Sequence, residues 1–337
     1  CKYEIMKDVF AKLSFGTAED DEPWDILWTD LSVSSERLMK MKAYQRINHF
    51  PGMMDICRKG ALARNMKKMA AHFPDEYTFC PQTWLIPSEL DNLLAMLRKR
   101  QHASFRGESA AGLQTYIVKP DAGAMGIGIY LAQTEEDFNM EDLHGSVVQS
   151  YDRGIRDLHW SVVQSLPPPA CPLRPRGLGM GAVDRAIVPR PLLVDGLKFD
   201  LRIYVLVTCV DPLQVYIYEE GIARFATMPY EAPNKGNIKH RHMHLTNYSV
   251  NKHSDTFVPS GSEANTHATK RLLSSTFDDL RKKGRDMGRV WRNIGELVVK
   301  TLLPVTPLLA HTYSSSAPRG ASAYNCFELL GFDVLLD

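Results

Sequence analysis

A lysine followed by three glycines separates two short apolar runs in residues 119–130. The run Tyr116-Ile117-Val118 is typical of a buried strand, and residues 128–131 are typical of its hairpin partner. Gly123, Gly126 and Gly128 tolerate positive φ angles and allow backbone amides to approach an anion closely. The segment therefore predicts a β-hairpin that covers a phosphate group, with a glycine hairpin that binds no ligand as the alternative.

The order of these residues excludes two other nucleotide-binding loops. In a Walker A loop the lysine follows the glycines and a helix begins there, whereas Lys119 precedes them. The spacing Gly-x-x-Gly-x-Gly is the reverse of a dinucleotide fingerprint, and no helical pattern follows at once. A nucleotide held under a hairpin is the interpretation that remains.

The composition is that of an ordinary globular protein, with 44% hydrophobic and 23% charged residues. A length of 337 residues exceeds the usual size of one hydrophobic core, so two or three subdomains are expected. The net charge of +1 gives no general attraction to nucleic acid or to a membrane, and neither is expected as a partner. Local basic runs such as Arg58-Lys59 and residues 64–68 are either solvated helix faces or a docking surface for an acidic partner. The six cysteines form no CxxC pair, which predicts reduced thiols and no zinc site.

Periodicity and turn residues divide the chain into helices and strands. Strands are predicted at residues 3–6, 24–28, 200–207, 213–218 and 332–336, and helices at residues 34–47, 60–72, 88–99, 266–283 and 287–303. Residues 152–186 differ, because they are rich in Pro, Gly and Arg and show no apolar periodicity, which predicts a disordered loop. The pentapeptide Ser-Val-Val-Gln-Ser at residues 146–150 recurs at residues 161–165, which indicates a recent insertion or an error in gene assembly, or else a functional loop.

Three charged residues share one face of an apolar strand, since Lys198, Asp200 and Arg202 alternate with apolar side chains. This face is either an exposed surface held by cross-strand salt bridges or the polar wall of a nucleotide site, with Arg202 placed to neutralise a transferring phosphoryl group. Residues 244–249, His-Leu-Thr-Asn-Tyr-Ser, add hydroxyl and amide groups suited to phosphate, ribose or the waters of a metal. Asp333 lies in an apolar strand, where an unpaired carboxylate is costly to bury and Mg²⁺ would remove that cost.

Seven segments form a set that is highly specific when taken together. They are Asn48-His49-Phe50-Pro51-Gly52, Cys57-Arg58-Lys59, Leu62-Ala63-Arg64-Asn65, Lys119-Pro120-Asp121, and residues 195–202, 243–249 and 331–337. With this set the chain resembles the tubulin tyrosine ligase-like proteins, and among them most closely the polyglutamylases. The resemblance covers nearly the whole chain apart from residues 152–186.

The resemblance implies an ATP-grasp fold of the α/β (α+β) class in three parts. These are an N-terminal α/β subdomain at residues 1–84, a central subdomain at 85–205 that contains the insert at 152–186, and a C-terminal subdomain at 206–337. It also implies that the chain joins glutamate to glutamate side chains in the acidic tails of tubulin, through an acylphosphate that the amine of free glutamate displaces. Such a step needs charge neutralisation and positioning more than an enzyme nucleophile.

The expected cofactors are ATP and Mg²⁺, and the expected partners are tubulin or microtubules and free L-glutamate. A monomer is expected, in the cytoplasm and on the cytoskeleton, including the cilium or axoneme and the basal body. The alternatives are a catalytically impaired member that binds microtubules and a member that uses glycine or tyrosine.

The resemblance further implies roles for individual residues. Lys119 and Arg202 are expected to act in catalysis, and Asp333 is expected to bind Mg²⁺. The incoming amino acid is expected to contact Arg224, Ser249 and Lys270. ATP is expected to contact Lys119, Gly123, Gly126, Ile127, Gly128, Gln149, Ser150, Tyr151, Lys198, Phe199, Asp200, Thr246 and Asn247.

Three departures from the family pattern bear on activity. The family usually reads Gly-x-Gln-Gly-Arg-Gly in the loop, and here Met125 replaces the Gln and Ile127 replaces the Arg, which should weaken binding of ATP or of the acceptor. The insert separates Tyr151 from Ile187 and interrupts the expected adenine-binding segment. The sequence also stops before the strand that supplies the remaining metal ligands of the family, so a C-terminally truncated chain with an incomplete Mg²⁺ site is expected.

Overall fold

The computed structural model describes residues 3–19, 22–105, 114–121, 126–140, 143, 145–150, 191–259, 267–318 and 320–336. In these parts of the chain the protein is a mixed α/β structure with three sheets. The helices are α1 (Glu4–Lys12), α2 (Ser35–Met39), α3 (Met54–Cys57), α4 (Lys59–His72), α5 (Leu90–Phe105), α6 (Arg241–His244), α7 (Tyr248–Asn251), α8 (Leu273–Lys282), α9 (Met287–Leu302) and α10 (Thr306–Ser316). The strands are β1 (Ile26–Leu27), β2 (Arg46–Ile47), β3 (Thr83–Leu85), β4 (Tyr116–Pro120), β5 (Tyr130–Ala132), β6 (Ser146–Ser150), β7 (Leu193–Val194), β8 (Leu197–Val210), β9 (Leu213–Phe225), β10 (Lys270–Leu272) and β11 (Glu328–Val334). The predicted insert, together with Gly123, Met125 and Tyr151, lies outside the described residues.

The largest sheet has five strands, with the long antiparallel pair β8 and β9 at its centre. β11 lies antiparallel to β8 on one side, β10 extends the sheet beyond β9, and β7 pairs with the start of β8. Ile203, Val205 and Val207 alternate along β8 and are fully buried on one face. The charged residues of β8 consequently point to the other face.

The second sheet has four antiparallel strands in the order β3-β6-β4-β5. One face is covered by α5, whose Leu93 and Leu97 pack in a core cluster with Tyr116 and Val118 of β4. The third sheet is the short parallel pair of β1 and β2. Since α5 covers the Tyr116 side of β4, the side that carries Ile117 and Lys119 is left for contacts with the rest of the protein.

The main core lies between the large sheet, the helices α8 to α10 and the N-terminal segment around Ile47 and Phe50. Polar groups strengthen the last contact, because Nδ1 of His49 lies 2.8 Å from Oε1 of Glu328, and the amide of Phe50 donates to Oε2 of Glu328 at 2.9 Å. The N-terminal segment and β11 therefore share one core. In the described residues no single helix is long and apolar enough to cross a bilayer, and the bent pair α9 and α10 meets that test only when its helices are taken together.

The predicted β-hairpin is confirmed, because β4 and β5 pair as antiparallel neighbours, and its binding of a phosphate group stays a prediction. The helices predicted at residues 60–72 and 287–303 and the strand pair around Asp211-Pro212 are also present, as α4, α9, β8 and β9.

Three predicted elements are wrong. A local helix replaces the first of them, and pairing with distant strands or segments changes the other two. Residues 3–6 begin the helix α1, in which the carboxylate of Glu4 pairs with Lys7 one turn later. In residues 34–47 the helix ends at Met39, and the chain then enters β2, where the amide of Ile47 donates to the carbonyl of Asn325. In the described part of residues 266–283, residues 270–272 form the edge strand β10 beside β9, and the helix α8 begins only at Leu273.

Replacing Leu201 by alanine should destabilise the fold by about 2–5 kcal/mol, because the side chain is fully buried and its removal leaves a cavity under the large sheet. Urea unfolding followed by circular dichroism measures the change. Leu303→Ala is the matched control, since that leucine is 45% exposed. Equal effects of the two substitutions would contradict the core described for β8.

Candidate active site

The two larger sheets meet through a small apolar cluster in which Ile117 and Ile129 of the hairpin pack with Leu245 and Leu335. Lys119 lies two residues after Ile117 and therefore projects from the same face of β4. Leu245 precedes Thr246, and Leu335 follows the charged end of β11. The cluster thus joins the sheet of the hairpin to the sheet that carries the charged face of β8, and the space between these two sheets is called the cleft below.

The hairpin side of the cleft is built around Lys119, which is 2% exposed and donates through Nζ to Oε1 of Gln149 at 2.9 Å. Lys59, at the start of α4, donates to the carbonyl of Pro120 at 2.9 Å. The amide of Gly60 donates to Oδ1 of Asp121 at 2.6 Å. The first turn of α4 is thereby fastened to the end of β4. Burial and the neighbouring Lys119 lower the pKa of Lys59 to about 8, although Asp121 opposes that change.

A cavity of about 510 Å³ lies between α4 and the second sheet, and Lys59, Lys119 and Gln149 are among the residues that line it. Its other walls combine apolar residues of α4, such as Leu62 and Met66, with the polar ends of β3. A pocket with apolar walls and two convergent ammonium groups suits a ligand that has an uncharged body and an anionic end.

The glycine turn at the tip of the hairpin lies against the segment that carries Thr246 and Asn247. Gly126 and Gly128 have φ angles of +74° and +71°. A Cβ atom at position 126 would lie 2.9 Å from Cγ2 of Val250, and one at position 128 would lie 2.8 Å from Cγ of Pro120. Nη2 of Arg241 donates to the carbonyl of Gly126 at 2.7 Å. Glycine is therefore required at both positions for conformation and for space.

The other side of the cleft is a buried network of ion pairs across three strands. Arg224 of β9 donates to both oxygens of Asp200 on β8, at 2.8 and 2.6 Å. Arg202 of β8 donates to both oxygens of Asp333 on β11, at 2.5 and 3.2 Å. Nη2 of Arg224 also lies 2.6 Å from Oδ2 of Asp333, and Thr246 donates to Oδ2 of Asp200 at 2.7 Å. The predicted cross-strand salt bridges are therefore present, but they are buried and do not form an exposed surface. The nucleotide site stays a prediction.

The charges of this network hold one another in place. Burial alone would raise the pKa of Asp333, but Arg224 and Arg202 outweigh it and hold that pKa below the ordinary value. Burial disfavours the charged form of Arg224, but Asp200 and Asp333 outweigh it and raise its pKa. Burial, together with the positive charges of Arg224 and Arg202, lowers the pKa of Lys270. Two arginines and two carboxylates thus balance one another in the network, and Lys270 lies close enough to the arginines for their charge to lower its pKa.

The network gives Mg²⁺ no ready site among the described residues. Both oxygens of Asp333 accept from guanidinium groups, so the cost of burying this carboxylate is removed by arginine and not by a metal. No group of three His, Cys, Asp or Glu side chains in the described part of the chain is placed to hold a metal ion. As they are arranged, the residues present do not fit Mg²⁺.

The remaining predicted residues fall into three groups. Lys198 donates to the carbonyl of His244 at 3.1 Å and so borders the cleft. The Lys270 ammonium lies 3.5 Å from the centre of the Tyr248 ring, in the helix that also carries Ser249. The side chain of Phe199 is stacked on Phe225 in the main core, which leaves only its backbone for a ligand.

Ser150 also departs from the prediction. It follows Gln149 in β6, so its side chain points to the face of the sheet opposite to the one that carries Lys119. Its hydroxyl is buried and has no hydrogen-bond partner in the parts of the chain that the structure describes. A ligand in the cleft can therefore reach only the backbone of Ser150.

Sequence reasoning missed two residues of the site. Lys59 was assigned to a basic run, although its place in the Cys57-Arg58-Lys59 segment was a signal that could have separated it from surface lysines. Asn251 is fully buried, and its carboxamide donates to the carbonyls of Leu245 and Asn247 and so holds the segment that contains Thr246. No pattern in the sequence marked this role.

The sequence profile of the tubulin-tyrosine ligase family matches residues 37–152 and 186–337. Over its whole length the chain is 38% identical to a Danio rerio protein named tubulin polyglutamylase ttll6, of which it covers 36%. It is likewise 37% identical to the Mus musculus tubulin polyglutamylase TTLL13, covering 36%, and 36% identical to the Xenopus tropicalis tubulin polyglutamylase TTLL7, covering 32%. The chain thus spans about a third of the length of the curated relatives it matches.

Replacing Arg224 by glutamine should destabilise the protein by about 3–5 kcal/mol, because Asp200 and Asp333 would remain buried with one partner fewer. Thermal and urea unfolding both measure this loss. Arg281→Gln is the matched control, because its pair with Asp278 is exposed and should contribute almost nothing. A variant as stable as the wild type would show that the network is not formed.

Proposed function

This chain belongs to the tubulin-tyrosine ligase family, and we propose that it acts as an ATP-dependent ligase that joins glutamate to glutamate side chains in the acidic tails of tubulin. The relatives are tubulin polyglutamylases by name, which supports glutamate as the amino acid that is added. The mixed α/β fold supports an ATP-grasp arrangement, in which the nucleotide lies between the sheet that carries the hairpin and the sheet that carries the charged face.

One observation carries the proposal: the buried network of Asp200, Arg202, Arg224 and Asp333 lies on the sheet that a shared apolar cluster joins to the hairpin of Lys119. A ligase that activates a carboxylate has to bring several negative groups together, and this requires cations that are already in position. Buried arginines held by carboxylates provide that electrostatic environment without reorganising during the reaction.

Under this proposal the residues on the two sides of the cleft would bind different parts of the substrates. Lys119 and Lys59 would hold the phosphates of ATP, and Gln149 orients the lysine that it binds. Lys198, Asp200 and Thr246 would position the rest of the nucleotide from the opposite side. Arg202 would neutralise the group that is transferred, and Arg224, Ser249 and Lys270 would bind the incoming amino acid.

When bound, ATP would supply the phosphoryl group that activates the acceptor carboxylate, and the amine of free glutamate would then form the isopeptide bond with loss of phosphate. The phosphoryl group, the acceptor carboxylate and the carboxylates of free glutamate are anionic, and Arg202 and Arg224 beside Asp333 would balance part of that charge. A role for Mg²⁺ stays a prediction from the sequence, and no step of the proposal depends on it.

The proposal is tested by incorporation of radiolabelled glutamate into microtubules, with and without ATP and Mg²⁺. Lys119→Met should lower incorporation by about 10²-fold or more, because the buried ammonium would be lost from the phosphate side of the cleft. It should also reduce the rise in melting temperature that ATP causes. Lys12→Met, at an exposed position of α1, is the control.

Two results would contradict the proposal in different ways. If ATP raises the melting temperature but no glutamate is incorporated, the chain is a nucleotide-binding member without ligase activity. If ATP neither stabilises the chain nor supports incorporation, the cleft is not a nucleotide site.

Lys59 makes the binding of ATP dependent on proton uptake. Its pKa of about 8 is below the ordinary value of 10.5, so above pH 8 a growing fraction of the free protein carries a neutral amine. A bound phosphate favours the charged form and raises this pKa, so the protein should take up a proton at Lys59 when ATP binds at roughly pH 9. Calorimetric titration in two buffers of different ionisation enthalpy measures the uptake. Lys59→Met should abolish it, whereas equal uptake in that variant would assign the proton to another group.

A further inference from the structure

A second cavity of about 510 Å³ lies beside the glycine turn and is separate from the cavity that contains Lys119. One wall is the turn itself, from Gly126 to Gly128. The other wall comes from α6, α7 and the residues just after them, with Arg241, His242, Lys252 and His253. Ser249 also lines this cavity, and it is the one residue there to which the function proposed above gives a role.

The charge of the cavity is one-sided. No Asp or Glu residue is among the described residues that line it. Arg241 uses one guanidinium nitrogen to hold the carbonyl of Gly126, which is uncharged, and Lys252 is exposed and forms no ion pair with the described carboxylates. Nδ1 of His242 is buried without a hydrogen-bond partner in the described chain. Two permanent cations without neutralising carboxylates favour an anionic ligand.

The position of the cavity connects it to the proposed reaction centre. Residues 245–247 run between α6 and α7, and Thr246 in that segment donates to Asp200 of the buried network. The helices on both ends of the same segment line the cavity. An acceptor chain that reaches the network could therefore place a neighbouring residue in the cavity.

We propose that this cavity binds a side-chain carboxylate of the acidic acceptor peptide, next to the glutamate that is modified. The inference rests on the proposed function and adds the place where the acceptor is recognised. A peptide is favoured over a nucleotide because Arg241, Lys252 and His253 are exposed and accessible to a macromolecule, whereas the lysines placed for phosphates are buried in the other cavity. Ile127, which is 68% exposed on the cavity rim, offers an apolar surface to the methylene groups of a glutamate side chain.

The test uses the full chain and a fluorescein-labelled peptide of four Glu-Glu-Gly repeats, with a Gln-Gln-Gly peptide for comparison. Fluorescence anisotropy measures the dissociation constant. Lys252→Glu should weaken binding of the acidic peptide by about tenfold at low salt, and the difference should shrink at high salt. Ile127→Arg should strengthen binding by about threefold, because it adds a cation at the exposed rim without removing a buried contact. Lys12→Glu, on α1 and outside the cavity, is the control and should change nothing.

Four results would overturn the inference. The wild type could fail to bind the acidic peptide, or Lys252→Glu could leave its affinity unchanged. Lys68→Glu, on the exposed face of α4, could weaken binding instead, which would place the acceptor on that helix. Finally, Lys252→Glu could reduce stabilisation by ATP, or raise the KM for free glutamate, with no effect on the peptide. Because peptide binding is measured without turnover, an inactive ligase would leave a positive result in place.

Discussion

The large sheet depends on buried ion pairs that join three adjacent strands through Asp200, Arg224, Asp333 and Arg202. Asp200 faces Arg224, and Arg202 faces Asp333, as direct cross-strand neighbours. A slip of one residue in either pairing would turn these charges into the apolar core and bring aliphatic side chains into the cleft. Since ion pairs in a buried position gain little net stability over apolar groups, we interpret the network as a determinant of register that also keeps charged groups ready for a ligand.

The same network shows how a stable fold can keep ionised side chains in a buried position. Each arginine is neutralised in part by a carboxylate, which allows it to remain buried and charged without a ligand. A third cation, Lys270, is held nearby over an aromatic ring, and its pKa is lowered by the two arginines.

The sequence predicted the parts of the site that depend on local patterns. The hairpin follows from glycines between apolar runs, and the shared face of Lys198, Asp200 and Arg202 follows from the two-residue period of a strand. The partner of Asp333 could not be predicted in this way, because it lies 131 residues away in sequence and depends on strand register. The error at residues 34–47 has a similar cause: the predicted helix gives way to β2, which pairs with β1 and contacts Asn325. The apolar neighbour Phe199 was assigned to ATP only through the family pattern, whereas the strand period places it in the core.

The glycine turn contains closely packed glycines and one exposed side chain, and the two kinds of position have different physical constraints. Gly126 is packed against Val250 and Asn247 with no room for a side chain, and Arg241 holds its carbonyl. Ile127, one residue later, projects into solvent. The side chain at position 127 therefore takes no part in the contact between the hairpin and the helices α6 and α7. The atoms that hold the turn belong to the backbone and to the glycines on either side, so we expect a changed side chain at position 127 to alter the surface and to leave the fold in place.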